Sequence, residues 1–104
     1  MDLELTDKIA IVTGSSRGLG LASARALVSE GCRVCICARG KEGLADAARE
    51  VEASAKRPGM VTAVQADVST PAGVEMVVSR TLETFSGLDI LINNVGRADR
   101  KSVV

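Results

Sequence analysis

Four short and almost wholly apolar runs recur along the chain, each separated from the next by a longer segment with helical periodicity. They are "KIAIVT" (Lys8–Thr13), "RVCICA" (Arg33–Ala38), "MVTAVQA" (Met60–Ala66) and "LDILINN" (Leu88–Asn94). Runs that are continuously apolar, rather than alternating, suit strands buried on both faces. The first helical segment spans about Arg17 to Glu30 and meets Gly31, a residue suited to a helix end. The second, about Lys41 to Lys56, puts Leu44, Ala47, Ala48, Val51 and Ala55 on one stripe and is stopped by Pro58-Gly59. For the third, Ser69 or Thr70 can cap and Pro71 suits the first turn. Its expected buried face is Val74, Val77, Val78, Leu82 and Phe85, and Gly87 is expected to close it.

The order is therefore βαβαβαβ, which demands a parallel sheet with right-handed crossovers. The expected architecture is a Rossmann-like α/β fold, the N-terminal part of a doubly wound sheet, with strand order 3-2-1-4. In such sheets ligands bind at the carboxyl ends of the strands, beside the point where the order reverses. Strand 1 ends at Thr13 and strand 4 at Asn94, so the segments after them fall at the expected site.

With 104 residues, the chain is expected to form a single domain over residues 1–104. It has no Trp, Tyr or His and one Phe, so its core must come from Val, Ile, Leu and Ala. Thirteen Lys/Arg balance thirteen Asp/Glu, which gives no electrostatic footprint for nucleic acid or an anionic membrane. No apolar stretch approaches the ~20 residues of a membrane span, and "MDLELTDK" lacks an apolar signal core. A cytoplasmic protein is the expectation. The cysteines of "CRVCIC" could suggest a metal or redox pair. On a strand, however, Cys32 and Cys35 point to opposite faces, whereas Cys35 and Cys37 share one as small buried thiols.

Between the first strand and first helix stands "TGSSRGLG", Thr13 to Gly20. Gly14 can take a positive φ at the strand exit, and Gly18 and Gly20 have no Cβ to block a bound pyrophosphate or a neighbouring strand. The helix start adds free N–H groups and the positive end of its dipole, together an anion site. A glycine-rich turn without a ligand is the plainer alternative.

The spacing Thr13-Gly14-x-x-x-Gly18-x-Gly20 resembles that of the short-chain dehydrogenase/reductase family, whose signature is TGxxxGxG. Two further elements agree: "ADVS" (Ala66–Ser69) resembles the family's Asp-Val step after strand 3, and "NNVG" (Asn93–Gly96) its NNAG motif after strand 4. Val95 stands where the family usually has Ala, and the likeness runs from about Leu5 to Gly96. The resemblance implies that backbone groups of Ser16, Arg17, Gly18 and Leu19, with Gly14 and Gly20, cradle the phosphates. It implies that Asp67 accepts from the adenine amino group, that Val68 meets the base, and that Asn93 and Gly96 line the ribose near the nicotinamide. A role for Asp67 in opening the third helix is the alternative.

An NAD-selective site usually ends strand 2 with a carboxylate for the ribose 2′-hydroxyl. Here Ala38 is followed by Arg39, and Arg17 lies inside the glycine turn. Two guanidinium groups suit a 2′-phosphate, so NADP(H) is the preferred cofactor, with NAD(H) also accommodated. Two solvated surface arginines are the plainer alternative. The family transfers hydride between nicotinamide and a small carbonyl or alcohol substrate, using a Ser and a Tyr-x-x-x-Lys from later elements. This sequence has no Tyr and no His, and "RADRKSVV" does not supply those groups. The expectation is the cofactor-binding part of such an oxidoreductase, incomplete at its C-terminus and inactive alone. Its fourth strand would be an exposed edge, and one sheet face would carry a single helix. A stand-alone, non-catalytic dinucleotide-binding or interaction module is the alternative.

Overall fold

The computed structural model describes residues 5–94 and has seven elements in the expected order. They are β1 (Ile9–Val12), α1 (Gly18–Ser29), β2 (Arg33–Ala38), α2 (Lys41–Ser54), β3 (Val61–Gln65), α3 (Pro71–Phe85) and β4 (Ile90–Ile92). Every pairing is parallel and the sheet order is β3-β2-β1-β4, as the alternation demands. Val12 lies opposite Ile36 and Ile92, and Ala38 lies opposite Gln65, which aligns the carboxyl ends of all four strands.

Three strands are shorter than the apolar runs that contain them. At the start of β1 the Ile9 N–H donates to the Asp89 carboxylate (2.9 Å), not to a strand carbonyl. At the other end the Thr13 N–H still reaches the Ile92 carbonyl (3.0 Å) before the chain turns. Side chains and turns thus take over where the ladder stops, and apolar composition does not mark that point.

The sheet is covered unequally. On one face α1 and α2 pack Ala24, Val28, Leu44, Ala47 and Val51 against Val12, Val34 and Ile36. On the other, among the described residues, α3 alone packs Val77 against Ile11, Cys35, Cys37 and Val64. Strand alternation thus separates Cys32, on the first face, from Cys35 and Cys37 on the second, and all three are free buried thiols. The α2 stripe is as expected, with Leu44, Ala47 and Val51 buried and Ala48 and Ala55 partly so.

The buried face of α3 departs from the hydrophobicity-based expectation. Gly73, Val77, Thr81 and Phe85 are buried, whereas Val74 and Leu82 are 45% and 47% exposed. The fully buried residues fall every four, Val78 is partly buried against the same core as expected, and Gly73 lets the helix start approach the preceding turn. Thr81 can be buried because its hydroxyl donates to the Val77 carbonyl (2.7 Å). Gly87 does not close the helix through a left-handed residue; Ser86 takes that conformation instead, with φ 68°. Among the described residues β4 ends the sheet, and its Leu91 is 62% exposed.

Candidate dinucleotide-binding site

The residues singled out by sequence converge on the carboxyl edge of the sheet, on the turns after β1, β2, β3 and β4. Val95 and Gly96 lie outside the described residues. Gly14 and Gly18 take φ of 59° and 63°, the left-handed region that favours glycine. Between them Ser15 is fully buried. Its N–H donates to the Cys37 carbonyl (3.1 Å), its hydroxyl donates to the Val12 carbonyl (2.8 Å), and its Oγ accepts from the Cys37 N–H (2.9 Å). Sequence reasoning passed over Ser15, since nothing marks it apart from Ser16; only the crossing of β1 and β2 shows that it fastens the glycine turn to the sheet.

Gly20 is held by close approach. A Cβ there would overlap the Gly14 carbonyl, lying 2.9 Å from its carbon and 3.0 Å from Asn94 Nδ2. A Cβ on Gly18 would meet nothing within 4 Å, so that residue faces open space. The two glycines thus differ in what they do: Gly20 packs the helix start onto the turn, and Gly18 borders the volume above it. The cap residue of α1, Arg17, is extended and makes no side-chain cap, and the first turn has no acidic residue. By contrast, α3 is capped by Thr70, whose Oγ1 accepts from the Gly73 N–H (3.0 Å). Arg17, Gly18 and Leu19 are exposed, Leu19 to 75%, and Ser16 is half-buried beside Gly43 of α2. An uncapped positive helix end with exposed backbone is suited to an anion.

Thr13 braces the end of β1 against β4. Its hydroxyl donates to Asn93 Oδ1 (3.0 Å) and accepts from the Asn94 N–H (2.8 Å). Asn93 Oδ1 is therefore engaged inside the sheet. After β2, Arg39 is exposed, and its carbonyl accepts from Gln65 Nε2 (3.0 Å). After β3, Asp67 Oδ1 accepts from both the N–H (2.9 Å) and the hydroxyl (2.6 Å) of Ser69. Those bonds, aided by the more distant positive charge of Arg39, hold the Asp67 carboxyl below its ordinary 3.8. Thus Thr70 caps α3 and Ser69 serves Asp67. Val68 packs against the α3-side core.

Beneath the glycine turn, burial pushes the Cys37 thiol up to about 11, with the Cys35 sulfur adding to the shift and the Gly14 backbone opposing it. These are inert core thiols. Among the described residues there is no group of three potential metal ligands and no helix long and apolar enough to cross a membrane. Two open concavities, of ≈ 320 and ≈ 290 Å³, lie along α1 and α2 and beside the α2–β3 turn, away from the strand carboxyl ends.

Residues 8–103 match the family described as short chain dehydrogenase. The chain belongs to that family. It is 42% identical over 92 residues to a rhamnolipids biosynthesis 3-oxoacyl-[acyl-carrier-protein] reductase of Pseudomonas aeruginosa, covering 88% of this chain and 34% of that protein. It is 40% identical over 91 residues to a putative ketoacyl reductase of Streptomyces coelicolor, covering 86% and 33%. The solved L-sorbose reductase of Gluconobacter frateurii, complexed with NADPH and L-sorbose, superposes with a TM-score of 0.86 at 36% identity, covering 100% of this chain and 40% of that one. The chain thus spans about a third of the length of these curated short-chain dehydrogenase relatives.

Proposed function

We propose that the chain binds NADP(H) along the carboxyl edge of its sheet and forms the cofactor-binding portion of an oxidoreductase acting on a small carbonyl or alcohol. The observation that carries this reading is the uncapped α1 N-terminus, with Gly18 open above it and Gly20 closing the turn beneath. Backbone groups of Ser16 to Leu19 bind the pyrophosphate there, where the helix dipole favours negative charge. Arg39 and Arg17 bind the ribose 2′-phosphate as planar forks. Asp67 and Val68 receive the adenine, and Asn93 and Gly96 border the nicotinamide ribose. Bound nicotinamide supplies or accepts hydride. The NADPH complex of the similar L-sorbose reductase supports the choice of cofactor.

The 104 residues contain neither Tyr nor His, the groups best suited to donating a proton to a carbonyl oxygen at neutral pH. That favours, as a second reading, binding without turnover by these residues alone. Calorimetric titration of the chain with NADPH and NADH, alongside an NADPH-oxidation assay with ketones and aldehydes, separates the two. NADPH is expected to bind more tightly than NADH. Arg39→Asp is expected to weaken NADPH by roughly ten- to a hundredfold, the equivalent of one charge-assisted hydrogen bond of about 1.5–3 kcal/mol. Tighter binding of NADH by the wild type would refute the 2′-phosphate reading.

A further inference from the structure

The turn from β3 to α3 is braced at both the backbone and the side chain of one residue. The Asp67 carbonyl accepts from the Thr70 N–H (3.2 Å) and the Thr70 hydroxyl (2.9 Å). Gly73, buried in the first turn of α3, presses on the same carbonyl: a Cβ there would overlap it and would also lie 3.1 Å from Thr70 Oγ1. The carboxylate is restrained separately. Both of its hydrogen bonds among the described residues come from Ser69, and both go to Oδ1. A side chain tied twice through one oxygen has its rotamer set, and the other oxygen, Oδ2, is left for a ligand.

We infer that Ser69 and Gly73 are positioning residues for base recognition, holding Asp67 so that Oδ1 is engaged within the turn and Oδ2 is presented to the exocyclic amino group of adenine. The inference rests on the cofactor reading above and extends it to residues that do not touch the ligand. Thr70 satisfies the α3 N-terminus independently, so the Ser69 hydroxyl is not needed to start the helix. Without the Ser69 hydroxyl the exposed carboxylate keeps only the N–H bond and samples further rotamers, so the bond to the base is made less of the time. Phosphate and ribose contacts, made by other turns, stay as they were.

The readout is the preference for NADPH over its unsubstituted purine analogue, in which the 6-amino donor is replaced by hydrogen and N1 stays an acceptor. Both dinucleotides are titrated calorimetrically into the full chain. The wild type is expected to prefer adenine by about ten- to a hundredfold, the range of one hydrogen bond to a charged acceptor. Ser69→Ala, which removes the hydroxyl bond and keeps the N–H bond, is expected to lower that ratio severalfold, and Ser69→Thr, which keeps both donors, to preserve it. Gly73→Ala is expected to lower it as well. Should that variant fail to fold, Ser69→Ala carries the test, because Ser69 is exposed and outside the helix cap. A purely structural role would weaken both dinucleotides equally, so an unchanged ratio in folded Ser69→Ala overturns the inference and leaves the cofactor reading standing. Equal binding of the two bases by the wild type overturns it too. Failure of the wild type to bind NADPH overturns the cofactor reading itself, and the inference with it.

Discussion

Gly18 and Gly20 are two residues apart in one turn, yet their replacement by alanine should act on different properties. At Gly20 the new Cβ would lie 2.9 Å from the Gly14 carbonyl carbon. The carbonyl oxygen stands closer still, well inside ordinary carbon–oxygen contact, so the turn must yield by about 1 Å or more. The obstructing atoms are backbone, so no side chain can swing aside. Overpacking costs about 1–3 kcal/mol, and the reduced freedom of an unfolded Ala chain offsets about 0.4–1 of it, leaving a net loss of roughly 1–2 kcal/mol. That loss is present without ligand. Gly18→Ala instead meets open space and bears only the left-handed φ of 63°. That strain is about 1–2 kcal/mol, offset in the same way, so stability falls by roughly 1 kcal/mol or less. Its Cβ points into the volume assigned to the pyrophosphate, so NADPH affinity should fall more than tenfold. Urea unfolding of each variant without ligand, followed by NADPH titration, separates the effects. A Gly20→Ala protein as stable as wild type would refute the close-packing argument. Unchanged affinity in Gly18→Ala would remove the phosphate from that turn.

Two further outcomes follow from the buried groups beneath the turn. Ser15→Ala leaves the buried Cys37 N–H without its acceptor, so unfolding in urea should show a loss of about 1–3 kcal/mol, and an unchanged midpoint would contradict the bracing role. The Cys37 thiol is raised from its ordinary 9.0 to about 11, so its neutral form is favoured in the folded protein. Stability from this group is complete below pH 9 and declines as pH rises toward 11, because the unfolded chain releases its proton first. A thermal midpoint constant from pH 8 to 11 would contradict this, as would rapid labelling of the native thiols by a thiol reagent at pH 8.

The order of elements, the parallel sheet and the position of the glycine turn were all readable from the chain, because each depends on periods and residue types that act locally. Apolar runs mark strands wherever the sheet is covered on both sides, and β2 shows it: its limits, Arg33–Ala38, coincide with the run itself. The separation of Cys32 from Cys35 followed from the two-residue period alone. Tertiary structure decided what depends on approach between distant segments. Val74 and Leu82 are exposed and Thr81 is buried because of the way α3 docks on the sheet, with Gly73 against the Asp67 turn and the Thr81 hydroxyl satisfied inside the helix, and no hydrophobicity scale carries that docking. The bracing work of Thr13 and Ser15 arises from strands 79 to 81 and 22 residues away in sequence. Their hydroxyls look like any others until the strands pair. Residue type placed the glycine turn at the carboxyl edge of the sheet, whereas the rigidity of that turn comes from bonds that exist only once β1, β2 and β4 lie side by side.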